Sequence, residues 1–137
     1  MSSEVEEPKD RNGRPAPIEN GGKEGEPVQF AHDSEREFAS ILDFYQIKWV
    51  YEPKTFPLQW DSEGRLLECF TPDFYLPELD LYVELTTLKQ SLVTRKNRKL
   101  RHLRELYPEI NIKLFYGRDF RSLMAKYGLG ARKADQN

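Results

Sequence analysis

Cysteine and long apolar runs are nearly absent from this chain, and each absence excludes a class of protein. The 137 residues include one cysteine, Cys69, so no internal disulfide can form and a thiolate zinc site is not indicated. No apolar stretch is long enough to span a membrane, and the sequence shows no signal peptide. We therefore expect a cytoplasmic protein without a membrane partner.

Apolar residues are also scarce at the start of the chain. Residues 1–29 are rich in Glu, Pro, Gly, Ser and Asn, and such a segment cannot bury enough surface to offset the entropy that it loses on ordering. We interpret residues 1–29 as a disordered acidic tail, residues 30–129 as one folded domain, and residues 130–137 as a flexible C-terminal tail. A domain of roughly a hundred residues is large enough for one hydrophobic core.

The net charge of -2 hides an uneven distribution of charged residues. Residues 1–33 carry eight acidic and four basic side chains, whereas residues 89–104 contain seven basic side chains and no acidic one. A basic run of this kind suits a polyphosphate partner, so nucleic acid is the expected ligand. The residues expected to contact it are Lys89, Arg95, Arg98, Lys99 and Arg101. The alternative is that the run forms only a solvated helix face.

The apolar periodicity predicts an ordered series of helices and strands. A first helix begins with Asp33 or Ser34 as N-cap and ends near Tyr45, with Phe38 and Leu42 on its apolar face. Strands are expected at residues 47–51, 56–60, 66–76 and 79–86, with turns at 61–64 and 77–78. They are followed by a basic helix at 91–107, a strand at 110–116 and a closing helix at 119–127. This order predicts an α/β (α+β) fold in which one central mixed sheet is flanked by helices.

Two acidic residues stand on the neighbouring strands that the turn at 77–78 joins. Asp73 follows Thr71-Pro72 and Glu84 lies in the next strand, so a hairpin can bring the two carboxylates together. Pro72 cannot donate a ladder hydrogen bond and marks a sheet edge or bulge, where side chains are often redirected. Such a pair can hold Mg²⁺ or Mn²⁺, although two acids on adjacent strands can equally be ordinary surface residues.

These motifs, taken in order, resemble the restriction-endonuclease-like, or PD-(D/E)XK, nucleases. Glu35 followed by Phe38 is similar to the family's first helix, and residues 71–77 and 81–84 are similar to its Pro-Asp…(Asp/Glu)-x-Lys signature. The resemblance covers residues 34 to about 123. It implies a restriction-endonuclease-like core and a metal held by Asp73, Glu84 and the Leu85 carbonyl. It also implies that Glu35 is an accessory acid that reaches the metal through water.

The lysine of that signature is missing, because Thr86 stands two residues after Glu84. A hydroxyl cannot supply a positive charge, so another lysine would have to do so. Candidates for that lysine occur in the basic helix, whose apolar stripe consists of Leu92, Leu100, Leu103 and Tyr107.

Lys96 lies near the centre of this stripe. Because a lysine that faces a sheet is costly unless it finds an anion, we expect Lys96 to be a relocated catalytic lysine. Lys99 and Lys89 are lesser candidates. The alternative is that the stem of Lys96 packs at the sheet edge while its ammonium reaches water.

These features favour a Mg²⁺-dependent endonuclease that hydrolyses phosphodiester bonds, in DNA more than in RNA, with Asp73, Glu84, Lys96 and Glu35 as catalytic residues. The main alternative is a nuclease-fold module that binds nucleic acid without cleaving it. A third is an accessory domain beside an enzyme, because residues 83–87 before a basic helix resemble bacterial modules, some of which accompany a hypoxanthine phosphoribosyltransferase. So small a domain is also consistent with a homodimer or with a protein partner that supplies specificity.

Overall fold

The computed structural model of this chain describes residues 15–20, 28–86 and 90–116, which form an α+β fold. The helices are α1 (Asp33–Phe44) and α2 (Gln90–Leu106). The strands are β1 (Ile18–Glu19), β2 (Val50–Tyr51), β3 (Lys54–Trp60), β4 (Leu66–Phe70), β5 (Phe74–Leu76), β6 (Leu81–Thr86) and β7 (Ile112–Tyr116). The closing helix predicted at 119–127 and the C-terminal tail predicted at 130–137 lie outside the described residues.

The strands form two sheets, whereas the sequence analysis predicted one. A four-stranded mixed sheet has the order β2-β5-β6-β7, in which β5 and β6 form an antiparallel hairpin and β7 runs parallel to β6. A three-stranded antiparallel sheet has the order β1-β3-β4. The parallel pairing of β6 and β7 requires a crossover connection, and α2 lies in it.

The second sheet arises because the strand predicted at residues 66–76 is broken. It ends at Phe70 and resumes at Phe74, and the two pieces pair with β3 and β6 respectively. Thr71-Pro72-Asp73 is the passage between the sheets, where Pro72 has no N–H for a ladder and the Thr71 hydroxyl lies 2.8 Å from that of Thr55. The break places Asp73 at the start of β5.

Two hydrophobic cores lie on opposite faces of the four-stranded sheet. Strand β6 is buried on both sides, and its alternating side chains divide between the cores. Leu81, Val83 and Leu85 pack with α1, whereas Tyr82 packs with α2 and strands β3 and β4.

Helix α1 packs through one apolar stripe, on which Phe38 and Leu42 are buried together with Glu35. Its N-cap is His32, which makes no side-chain capping bond, so the prediction of Asp33 or Ser34 as N-cap is wrong. Both Asp33 and Glu35 lie in the first turn, where the helix dipole favours negative charge.

Leu100 and Leu103 of α2 are buried, as is Tyr107 directly after the helix, and these are three of the four residues of the predicted stripe. The side chain of Leu92, the fourth, lies outside the part that the structure describes. The Tyr107 hydroxyl donates to the carbonyl of Pro57 at 3.0 Å, which fastens the end of the helix to β3. Pro108, which cannot continue a helix, follows directly.

A short strand lies within the segment predicted as a disordered tail. Ile18 and Glu19 pair with Thr55 and Lys54 of β3, and the side-chain amide of Asn20 donates to the carbonyl of Glu52 at 3.0 Å. Backbone pairing thus fastens part of the segment that the sequence analysis assigned to the tail. Within the described ranges, no helix is both long and apolar enough to cross a membrane.

Candidate functional site

A cavity of about 420 Å³ lies where the start of α1, the end of β6 and the middle of α2 meet. Five of its lining residues are catalytic or metal-binding candidates from the sequence analysis, and they come from four separate parts of the chain. They are Glu35, Asp73, Glu84, Leu85 and Lys96. The fold therefore brings the whole predicted catalytic set to one place.

The carboxylates of Asp73 and Glu84 each accept a hydrogen bond from the backbone of the opposite side of the β5–β6 hairpin. The backbone N–H of Asp73 donates to Oε1 of Glu84 at 3.1 Å, and the N–H of Leu85 donates to Oδ2 of Asp73 at 2.9 Å. The two residues are only 8 % and 6 % exposed, so they are not ordinary surface acids. Each carboxylate is thus fixed in direction at the cavity wall.

Burial makes the negative charge of this pair unfavourable. Removal from water, followed by the charge of Glu84, raises the pKa of Asp73 to about 8 from its ordinary 3.8. Burial likewise raises the pKa of Glu84, although the Lys96 ammonium opposes this effect. A cation bound beside these two carboxyls would stabilise their ionised form.

Lys96 reaches this pair from α2. Its Nζ lies 3.0 Å from Oε2 of Glu84 and donates to the backbone carbonyl of Leu85 at 2.6 Å. These two contacts hold the ammonium against the sheet, and the side chain as a whole is 26 % exposed. The position on the sheet-facing stripe predicted from helical periodicity explains how a residue of α2 reaches β6.

Glu35 enters the cavity from the first turn of α1 and has partners that the sequence analysis missed. Its Oε1 accepts hydrogen bonds from the Tyr51 hydroxyl at 2.5 Å and from the N–H of Ala31 at 3.2 Å. Burial, with the Glu35 carboxylate next to it, raises the pKa of Tyr51. No local pattern indicates this contact, because it depends on how β2 packs against α1.

Two further lining residues show how the cavity differs from what the resemblance implies. Thr86, at the position of the family's lysine, is 1 % exposed and adds a hydroxyl but no charge. Glu52 was not predicted as a site residue, yet it lines the cavity with φ at +44°, and its N–H donates to the carbonyl of Asp73 at 2.9 Å.

The other basic residues of α2 do not line this cavity. Arg95, Arg98 and Arg101 are exposed, Lys99 is half-buried, and Arg98 forms a 3.4 Å ion pair with Glu68. Arg101 lines a separate open groove of about 640 Å³ on the helix surface, with Thr94, Asn97, Arg104 and Glu105. Lys89 lies outside the described residues.

The side-chain and backbone oxygens at one wall of the cavity are of the type that Mg²⁺ binds. Among the described residues, no group of three or more His, Cys, Asp or Glu side chains is arranged to hold a metal. Asp73, Glu84 and the Leu85 carbonyl offer hard oxygen donors at one wall. Mg²⁺ is commonly bound through one or two carboxylates and completes its shell with water and phosphate. These residues could hold that ion if the Lys96 ammonium left Glu84 and the Leu85 carbonyl.

Comparison of the chain with protein-family models, with curated proteins and with solved structures finds no match.

Proposed function

We propose that this chain is a metal-dependent nuclease of the restriction-endonuclease-like type, which hydrolyses phosphodiester bonds in nucleic acid, with DNA preferred over RNA. The observation that carries the proposal is the contact between Lys96 and Glu84, at 3.0 Å inside the cavity that Asp73 also lines. A nuclease site of this type combines Asp73 and Glu84 with a lysine. Position 86 does not supply that lysine, but α2 supplies Lys96.

The carboxylate pair and the Leu85 carbonyl would hold the ion. Asp73 and Glu84 are fixed by hydrogen bonds to each other's strand, so their directions are set before an ion binds, and the ion would displace the Lys96 ammonium from Oε2 of Glu84. When bound, a divalent cation supplies positive charge to a phosphate oxygen and lowers the pKa of a coordinated water. Burial raises the pKa of both carboxyls, so a cation would have to displace their protons, and its binding should tighten as pH rises.

Lys96 and Glu35 would act on either side of the pair. The Lys96 ammonium stabilises negative charge that develops on the phosphate, or orients the attacking water, a role whose removal typically costs about 10²–10³ in rate. Glu35 lies within the same cavity and would hold a further water. The exposed Arg95, Arg98 and Arg101 would contact backbone phosphates without reading sequence.

A nucleic-acid-binding module without catalysis is the second candidate, and one observation favours it. The Lys96 ammonium already contacts Oε2 of Glu84 and the Leu85 carbonyl, which are two of the donors proposed for the metal. An internal ion pair of this kind neutralises Glu84 without any metal. On this reading Lys96 replaces the cation instead of assisting it.

A cleavage and binding assay on supercoiled DNA, single-stranded DNA and RNA distinguishes the two candidates. Each substrate is incubated with Mg²⁺, Mn²⁺ or EDTA, using the wild-type protein and Asp73→Asn. The nuclease proposal predicts metal-dependent cleavage that Asp73→Asn abolishes while binding is retained. Binding without cleavage of any substrate in either metal would instead support the inactive module.

A further inference from the structure

Glu35 uses one of its two carboxylate oxygens to hold itself in place. Oε1 accepts both the hydroxyl of Tyr51 and the N–H of Ala31. In the part of the chain that the structure describes, no hydrogen bond to Oε2 is found. Because Glu35 is 5 % exposed and lines the cavity, its remaining oxygen is available for a water or an ion there.

Tyr51 is itself held rigidly by aromatic contacts. Its ring packs edge-on against Phe30, with centroids 4.9 Å apart, and against Phe74, with centroids 5.6 Å apart. Its hydroxyl also accepts the N–H of Ala31 at 3.3 Å, so it has one proton left to donate, and Glu35 receives it. The direction of the Glu35 carboxylate is therefore set by a residue that has little freedom to move.

We propose that Tyr51 is a positioning residue of the metal site, whose hydroxyl holds the Glu35 carboxylate with Oε2 directed to a water of the bound divalent ion. The inference rests on the proposed function. It adds a residue that acts through Glu35 and does not itself touch substrate or metal. Partners of this kind typically change metal affinity or activity by about 10–100-fold when they are removed.

A purely structural role is the competing explanation, because Tyr51 and Glu35 both bind the backbone of Ala31 and could serve only to fasten the chain before α1. That role predicts a lower melting temperature for Tyr51→Phe and unchanged metal affinity in the folded protein. The positioning role predicts weaker metal binding whether or not the melting temperature changes.

The test is the Mn²⁺ affinity of the full chain, measured from the electron paramagnetic resonance signal of free Mn²⁺. Tyr51→Phe keeps the ring and removes the hydroxyl. Tyr75→Phe is the matched control, because the Tyr75 hydroxyl donates to Asp80 at 2.8 Å, and neither residue lines the cavity. We expect Mn²⁺ to bind Tyr51→Phe about 10–100-fold more weakly than wild type and Tyr75→Phe as tightly as wild type.

A double-mutant cycle with Glu35→Gln shows whether Tyr51 acts through Glu35, and it keeps the proposal falsifiable if one variant folds poorly. Addition of Tyr51→Phe to Glu35→Gln should weaken Mn²⁺ binding no further, whereas independent effects would multiply and overturn the inference. Wild-type affinity in folded Tyr51→Phe would also overturn it, and would leave the proposed function intact. Absence of Mn²⁺ binding by the wild-type protein would overturn both.

Discussion

At the scale of single residues, the site is built from groups whose charges are costly until they are paired. Asp73 and Glu84 are buried side by side, and the fold fixes their directions with backbone N–H groups. Such an arrangement lowers the stability of the protein when both carboxyls are ionised, and on the proposed function a bound cation would offset that cost. Sites that bind or catalyse often carry a cost of this kind.

The raised pKa of Asp73 predicts a specific dependence of stability on pH. Between its unfolded value of 3.8 and its folded value of about 8, the folded protein binds more protons than the unfolded chain. The contribution of Asp73 to stability in EDTA should therefore fall as pH rises from 4 to 8, because this group contributes its full stabilisation only below the unfolded pKa. Asp73→Asn cannot ionise and should melt roughly 5–10 °C above wild type at pH 8, with a smaller difference at pH 5. Melting curves across this range check the prediction, and parallel wild-type and variant curves would contradict it.

Replacement of Lys96 by an uncharged residue should affect metal binding and catalysis in opposite directions. Its ammonium occupies Oε2 of Glu84 and the Leu85 carbonyl, so Lys96→Met frees two proposed metal donors and removes a positive charge. We expect Mn²⁺ to bind Lys96→Met at least about tenfold more tightly, a change of roughly 1.4 kcal/mol. Titration calorimetry measures this affinity.

Lys54→Met is the control for Lys96→Met. Lys54 forms a 3.5 Å ion pair with Glu19 in the three-stranded sheet, and it does not line the cavity. Its replacement removes the same charge from the protein and should leave the Mn²⁺ affinity unchanged. Weaker binding by Lys96→Met would show that the ammonium does not compete with the ion.

At the scale of elements, the site depends on how α2 docks against the sheet. Leu103, on the same stripe as Lys96, is 0 % exposed and packs in the core between α2 and the four-stranded sheet, which also contains Tyr82. Leu103→Ala should lower the free energy of unfolding by about 2–5 kcal/mol, because it leaves a cavity under the helix. Leu67→Ala on β4, where the side chain is 61 % exposed, should change it by less than about 0.5 kcal/mol. Urea denaturation of both variants measures the difference, and equal losses would show that α2 is not docked as described.

Local patterns predicted the parts of the site that short-range structure determines. The turn at residues 77–80 brings Asp73 and Glu84 together because only the β5–β6 hairpin separates them. Helical periodicity placed Lys96 on the face of α2 that meets the sheet, and its contact with Glu84 is present. The metal-binding and catalytic roles of these residues stay predictions.

Long-range packing explains what the sequence did not reveal. The contact between Tyr51 and Glu35 joins β2 to α1, and no periodicity in either segment encodes it. The pairing of Ile18 with Thr55 was missed because the composition of residues 1–29 suggested disorder. Backbone N–H and C=O groups can pair between strands whatever their side chains are. The break at Pro72 was visible in the sequence, yet the transfer of the chain to a second sheet was not.

At the scale of the whole molecule, the cavity is lined by residues from helices that pack in different hydrophobic cores. Glu35 comes from α1, which covers one face of the four-stranded sheet, and Lys96 comes from α2 on the other face. Asp73 and Glu84 stand on the hairpin between them. The proposed catalytic set therefore assembles only when both helices are docked, so loss of either core should abolish cleavage along with stability.

The most direct test of the proposed nuclease is the single-turnover rate of Mg²⁺-dependent DNA cleavage by wild type, Lys96→Met and Lys54→Met. A relocated lysine predicts that Lys96→Met cleaves about 10²–10³-fold more slowly at saturating Mg²⁺, while Lys54→Met cleaves at the wild-type rate. Cleavage by Lys96→Met at the wild-type rate would contradict the role given to Lys96. Absence of cleavage by the wild-type protein, with DNA binding retained, would contradict the nuclease itself.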